Sequence, residues 1–189
     1  NPDLPAPPST AEIVAADDAR VAYTVLDHDV AEVSVSDLKV QGYLSDVGTC
    51  LFDLAVRPGV PLPELWVANT EARNRVRFEG NLNGHIADHR LTRVSVDSGA
   101  VTPIDLNPGV DYGVLPNPAA QAVALAQPTA VVFSAAGATG WVAAFGSDRV
   151  ARFDPADGTL RAWMDVRTPV VGSDALDSSR RMRGPRGLA

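Results

Sequence analysis

Apolar residues along this chain come in short runs of four to six, which alternate with polar residues or are rich in β-branched side chains. Such runs are typical of β-strands, because successive side chains of a strand point to opposite faces of its sheet. Turn-forming residues separate the runs. A helical pattern occurs in the alanine-rich segment 118–126, where Pro118 stands at a position that favours the start of a helix. The pattern therefore predicts an all-β protein with one short helix.

The runs recur in the same order, four to a unit. Trp66-Val67-Ala68 and Trp141-Val142-Ala143 fall at the same place in two units, and Tyr23 replaces the tryptophan in the unit before them. Glycine ends the turn at 97–99 and the turn at 156–158, where a tight hairpin between the third and fourth strands needs a positive φ. The predicted units span residues 11–45, 51–106 and 128–166, and a fourth begins at 183–189.

These motifs resemble the repeat of YVTN/NHL-like β-propellers, and Gly184-Pro185-Arg186-Gly187-Leu188-Ala189 is similar to the opening of an inner strand in that family. The resemblance covers residues 11–189 and implies four-stranded antiparallel blades. Propellers close a ring of about 4–8 blades. Three blades and the start of a fourth would be an incomplete ring, which needs further blades of the same propeller or a protein partner. A two-sheet sandwich is the alternative fold.

Composition narrows the class of protein. The proline-rich residues 1–10 predict an extended linker, and 46% hydrophobic residues among 189 are enough for a core. The net charge of −7 argues against binding to nucleic acid. No run approaches the roughly 20 apolar residues of a membrane span, so membrane insertion is not expected. The single cysteine, Cys50, excludes an internal disulfide and is expected to be buried.

The spacing of the units predicts where ligands or partners bind. Tyr23 and Trp66 lie 43 residues apart, whereas Trp66 and Trp141 lie 75 apart. The extra residues fall at 78–90 and 106–128, and another long connection follows at 166–182. In an up-and-down sheet these connections all emerge at one end. Long loops on a rigid β scaffold commonly carry function, so we expect the binding surface at that end.

Candidate chemistry is concentrated in these connections. His85, Asp88 and His89 could supply nitrogen and oxygen ligands to a divalent metal, but no third well-spaced partner is present, so a hydrogen-bonded loop with solvated histidines is the favoured interpretation. The candidate residues of a binding loop are Arg90, Asp111 and Tyr112. No serine-nucleophile motif or phosphate-binding loop occurs, so no catalytic residue is predicted.

The resemblance also implies a cellular context. Some bacterial proteins with this repeat are joined to c-type cytochrome domains in the periplasm, which predicts a periplasmic or extracellular location. The chain has no Cys-x-x-Cys-His, so haem would lie only on a partner domain, and no cofactor beyond a divalent metal is expected here. The predicted function is a non-catalytic propeller segment that docks a protein partner, with a c-type cytochrome as a candidate. A lactonase-like metal-dependent hydrolase and a haem-linked redox enzyme with its cofactor ligands elsewhere stay open as alternatives.

Overall fold

The computed structural model describes residues 27–73, 82, 85–167 and 184–188. Within these ranges the chain forms ten strands, one α-helix and one 3-10 turn. The strands are β1 (Val30–Val33), β2 (Val40–Leu44), β3 (Cys50–Val56), β4 (Glu64–Ala72), β5 (Ala87–Ser95), β6 (Val101–Asp105), β7 (Pro128–Phe133), β8 (Gly140–Ala144), β9 (Arg149–Phe153) and β10 (Leu160–Asp165). The helix α1 is Pro118–Val123, and the 3-10 turn is Phe145–Ser147.

The strands form three antiparallel sheets, and in each sheet strands that follow one another in sequence are hydrogen-bonded neighbours. Sheet 1 contains β1 and β2, sheet 2 contains β3 to β6, and sheet 3 contains β7 to β10. The all-β class and the four-stranded antiparallel order predicted for the second and third units are confirmed. The linker predicted at 1–10, the strands predicted at 12–16 and 21–25, and most of the connection 166–182 lie outside the described residues.

Sheets 2 and 3 share one register. Trp66 on β4 pairs with Arg93 on β5, and Trp141 on β8 pairs with Arg152 on β9. The first strands of sheets 2 and 3 each contain a bulge near their start, at residues 51–53 in β3 and 128–130 in β7. A bulge changes the local twist and is a specific feature of a strand. Sheets 2 and 3 therefore share the position of this bulge as well as the strand register.

The hairpins between third and fourth strands also share one geometry. In each hairpin the first residue accepts, through its carbonyl oxygen, the N–H of the residue four positions later at 2.8 Å. That later residue has a left-handed backbone, with φ of 57°, 68° and 75° in the three hairpins. The donor and acceptor pairs are Leu38 and Ser34, Gly99 and Ser95, and Gly158 and Asp154. β1 and β2 therefore correspond to the third and fourth strands of the other sheets.

The hydrophobic core lies on both sides of sheet 2. Trp66 and Ala68 of β4 pack towards sheet 3, in a cluster with Phe153. Leu65 and Val67 of the same strand pack in a second cluster with residues that include Val30 and Leu44 of sheet 1. Successive side chains of a strand point to opposite faces, so a strand buried along its length has both faces covered. The described sheets therefore form three stacked layers rather than a two-sheet sandwich.

The two tryptophans in equivalent positions differ in burial. Trp66 is fully buried, and its ring centroid lies 5.8 Å from that of Phe133 and 5.0 Å from that of Phe153, both in sheet 3. Trp66 thus packs between sheets, as its position predicts. Trp141 occupies the matching position on sheet 3 but is only half-buried. Among the described residues, no full sheet covers Trp141 in the way that sheet 3 covers Trp66.

Polar contacts join sheets 2 and 3 at their first strands and hairpins. The side chain of Asp53 in β3 accepts the N–H of Val131 in β7 at 2.9 Å. Arg57, just after β3, donates from Nε to the carbonyl oxygen of Gly137 at 2.9 Å and from Nη1 to that of Pro155 at 3.2 Å. Both acceptors lie in hairpins of sheet 3. These bonds fix how the two sheets sit on each other.

Two expectations from the sequence are wrong. Cys50 is exposed rather than buried, because it lies at the first position of β3, whose described residues alternate between exposed and half-buried. The predicted connection 78–90 is displaced towards the N-terminus, because β4 ends at Ala72 and β5 already begins at Ala87. Asp88, His89 and Arg90 therefore lie in a strand, and the alternation of polar residues there reflects sheet pairing rather than a loop.

Candidate functional site

The long connections of sheets 2 and 3 meet at one end of the stack. The connection from β4 to β5 and the connection from β6 to β7 leave this end, whereas the short hairpins lie at the other. His85 of the first connection stacks on Tyr112 of the second, with ring centroids 3.4 Å apart and an interplanar angle of 6°. We call His85, Asp88, His89 and Tyr112 the rim cluster. It contains four of the six residues that the sequence identifies as site candidates.

His85 of the rim cluster also lies close to a carboxylate. Nε2 of His85 lies 2.6 Å from Oδ1 of Asp88. The second carboxylate oxygen of Asp88 lies 3.3 Å from Nη1 of Arg73. The His85 side chain is largely covered, whereas Asp88 and Arg73 are more open to solvent. These two contacts lie within the β4–β5 connection and the start of β5, and the stacking of His85 on Tyr112 joins them to the β6–β7 connection.

His89 faces a different partner from His85. Its Nδ1 accepts the backbone N–H of Gln127 at 3.3 Å, just before β7. Burial lowers the pKa of His89, and the nearby His85 lowers it further, against the opposing effect of Asp88 and Asp105. A neutral imidazole is the form that can accept this hydrogen bond. His89 therefore fastens the beginning of sheet 3 to the third strand of sheet 2.

The three residues predicted to bind a metal have different neighbours in the structure. His85 and Asp88 contact each other, while His89 uses Nδ1 for the backbone. In the part of the chain that the structure describes, no group of three or more His, Cys, Asp and Glu residues is arranged to hold a metal ion. Metal binding by these residues stays a prediction.

Tyr112 is the aromatic member of the rim cluster. Partial burial raises the pKa of its phenol, and the carboxylates of Asp105 and Asp88 raise it further, while Arg73 opposes them. The phenol is therefore neutral at physiological pH and available as a hydrogen-bond donor or acceptor. A half-exposed neutral tyrosine at the junction of two loops is well suited to contact a protein partner.

Arg90 has a structural role in this fold. It donates from Nε to Oδ1 of Asn69 at 2.8 Å, and from Nη2 to Glu71 at 2.9 Å and to the carbonyl oxygen of Val47 at 3.1 Å. Its side chain is 14% exposed. The guanidinium thus holds the segment that leads into sheet 2. Arg149 has the same place in sheet 3, where it donates to carbonyl oxygens of the segment leading into β7.

Asp111 shapes the second long connection. Its Oδ1 accepts the N–H of Gly113 at 2.8 Å, and its backbone carbonyl accepts from Nδ2 of Asn117 at 3.1 Å. The side chain of Asn117 in turn caps α1 by accepting the N–H of Ala120 at 3.0 Å. Asp111 is exposed and separate from the contacts of the rim cluster.

Sequence reasoning missed the residues that hold these loops in place. Asn107 reads as part of an Asn-Pro-Gly turn, yet its buried carboxamide closes the loop between β6 and β7. Gln127 has a left-handed backbone with φ of 51°, which is rare for this residue type and leaves no mark in the sequence.

Comparison with known proteins supports the fold and no more. No protein-family model matches the chain, and a search of curated proteins finds no relative. Among solved structures, the chain is similar to hydrazine synthase from Kuenenia stuttgartiensis, with a TM-score of 0.50 and 16% sequence identity. The match covers 66% of this chain and 32% of that one, so this chain spans about a third of the other's length. None of the helices in the described ranges is long and apolar enough to cross a membrane.

Proposed function

We propose that this chain is a non-catalytic segment of a β-propeller, and that it binds a protein partner at the end where its long connections meet. The observation that carries the proposal is the burial of β4 on both faces between two further layers. In a propeller every blade is covered by its neighbours on both sides. A stack of sheets with one register and one set of hairpins is what that architecture requires.

The contacts of residues 184–188 support the proposal that a further blade begins there. The N–H of Gly184 donates to Oδ1 of Asp148 at 2.7 Å, as the N–H of Gln127 donates to His89. Asp148 and His89 are equivalent in register, because each lies four residues before the arginine that pairs with the tryptophan of the preceding strand. Gly184 has φ of 50°, close to that of Gln127, and a proline follows each of them. Gly184, in the predicted start of a unit at 183–189, therefore repeats the hydrogen bond and the left-handed backbone of Gln127.

The half-buried Trp141 is consistent with such a blade. On sheet 2 the matching Trp66 is covered by phenylalanines of the next sheet. A sheet that begins at Pro185 would run along β7, where Oγ1 of Thr129 already donates to the carbonyl oxygen of Pro185 at 2.9 Å. The likeness to hydrazine synthase concerns the fold alone.

The partner and location follow from the repeat resemblance. We propose an exported bacterial protein, periplasmic or extracellular, in which the rim cluster and the loop between β6 and β7 face the partner. A c-type cytochrome is the candidate partner, and haem would belong to it. The acidic chain, with a net charge of −7, suits a basic partner because opposite charges speed encounter.

Site-specific photocrosslinking in the native host tests the binding end. A photoreactive phenylalanine replaces Leu115, which is 64% exposed in the loop between β6 and β7. The matched control replaces Val35, which is 92% exposed in a hairpin at the opposite end. We expect a discrete adduct from position 115 alone, identified by mass spectrometry and stained for haem. Equal adducts from both positions, or none from position 115, would contradict the proposal, and a single adduct without haem would refute the cytochrome.

A further inference from the structure

The loop between β6 and β7 is closed at its neck by one buried side chain. Nδ2 of Asn107 donates to the carbonyl oxygen of Leu125 at 2.9 Å, and the N–H of Leu125 donates to Oδ1 of Asn107 at 2.8 Å. Asn107 is only 7% exposed. Two buried hydrogen bonds of this kind are expensive to break, because each would leave an unpaired polar group. The loop therefore keeps its shape without a partner.

A residue of β9 holds the part of the same loop that contains α1. Arg149 donates from Nη2 to the carbonyl oxygen of Ala122 at 2.7 Å and from Nη1 to that of Ala124, next to the end of α1. Its guanidinium carbon also lies 4.7 Å from the ring centroid of Trp163 on β10. Arg149 thus holds both the helix and the indole in place. Its guanidinium group interacts with two carbonyl oxygens and with the face of the Trp163 ring.

The shape of this loop is held by hydrogen bonds and not by a hydrophobic core within the loop. An open pocket of about 450 Å³ lies between the loop and β10. The volume lies in the range of small-molecule sites. Leu106 and Leu125 are fully buried beneath it, whereas Trp163 is 44% exposed. The larger apolar side chains that line the pocket include Leu106, Val110, Val123, Leu125, Leu160 and Trp163. The flat indole beside branched aliphatic groups suits an aromatic ring.

The polar groups of the pocket select by charge. The carboxylate of Asp111 and the carboxamides of Asn107 and Asn117 line it, and its lining contains no lysine or arginine. A carboxylate repels anions and attracts cations over several ångströms. We propose that this pocket binds a small aromatic ligand that is neutral or positively charged. The site is distinct from the rim cluster and does not depend on how many blades the propeller has.

Three probes of one shape and different charge test the proposal on the purified full chain. Benzylamine, benzyl alcohol and benzoate are titrated by saturation-transfer NMR and by tryptophan fluorescence. A ligand of about eight non-hydrogen atoms should bind with a dissociation constant of about 1 mM. Benzylamine should bind at least as tightly as benzyl alcohol, and benzoate about tenfold more weakly. Absence of saturable binding, or benzoate binding as well as benzylamine, would overturn the proposal.

Two variants locate the binding. Val123→Phe fills the pocket from a position that is 51% exposed, so the fold should tolerate it, and binding of benzylamine should fall about tenfold. Val35→Phe, at a hairpin away from the pocket, should leave it unchanged. Asp111→Asn keeps the turn with Gly113 and should reduce the preference for benzylamine over benzoate about tenfold. Unchanged binding in Val123→Phe would refute the site, whatever the crosslinking experiment shows.

Discussion

The packing of Trp66 gives the sharpest prediction about the stack. The side chain is fully buried and contacts Phe133 and Phe153 of the next sheet. Its Nε1 donates a hydrogen bond to Oε2 of Glu64, with 3.3 Å between the two atoms. Truncating a buried tryptophan to alanine costs about 3–5 kcal/mol, much of a domain's usual stability of about 5–15 kcal/mol. Trp66→Phe keeps the aromatic contact and loses only part of the buried area and one hydrogen bond, so we expect a loss of about 1–2 kcal/mol.

Urea unfolding followed by far-ultraviolet circular dichroism measures this loss without relying on tryptophan emission. With a slope of about 2 kcal/mol per M, the midpoint of Trp66→Phe should fall by about 0.5–1 M. The matched control is Trp163→Phe, because Trp163 is 44% exposed on an outer strand. Its midpoint should fall by less than half as much. Equal midpoints for the two variants would refute the claim that Trp66 joins the sheets.

Three further predictions concern the contacts that hold the units and loops. Gly137→Ala should destabilise the chain far more than Gly99→Ala, because both glycines have positive φ, but only at position 137 would the added Cβ overlap a backbone carbonyl of the neighbouring sheet; thermal unfolding measures the difference. Asn107→Ala should cost about 2–4 kcal/mol and speed hydrogen exchange at the amide of Leu125, since it leaves two buried backbone groups unpaired. Because burial lowers the folded pKa of His89, its contribution to stability should be present above about pH 6.5 and be lost as pH falls through the folded pKa; His89→Gln should flatten that dependence of the urea midpoint.

The sequence reveals the repeats because they depend on local chemistry. Alternating side chains mark the strands, and glycine marks a turn that needs a positive φ, as at Gly99 and Gly158. The third turn of the same kind has Leu38 at that position, with φ of 57°. A leucine gives no sign of a left-handed backbone in the sequence. The similarity of this hairpin to the other two is therefore visible only in its hydrogen bonds. Register between strands is likewise set by partners distant in sequence.

The candidate site was accessible to sequence reasoning only in part. Histidine and aspartate are conspicuous near residue 85, and Tyr112 stands out in the next loop. Strand order predicts that the β4–β5 and β6–β7 connections leave the same end, but the contact of His85 with Tyr112 depends on how the two connections fold there. The pocket beside Trp163 depends on a buried Asn107 and on Arg149, whose roles come from tertiary hydrogen bonds. Polar residues of this kind resemble ordinary turn and strand residues until their partners are known.

The most direct test of the central claim is an experimental structure of the protein in its native assembly. The account predicts that a further four-stranded sheet begins near Pro185 and covers Trp141, as sheet 3 covers Trp66. It also predicts that β3 and β7 lie side by side around a central axis. A structure in which Trp141 faces solvent, or in which the sheets close as a two-layer sandwich, would contradict it.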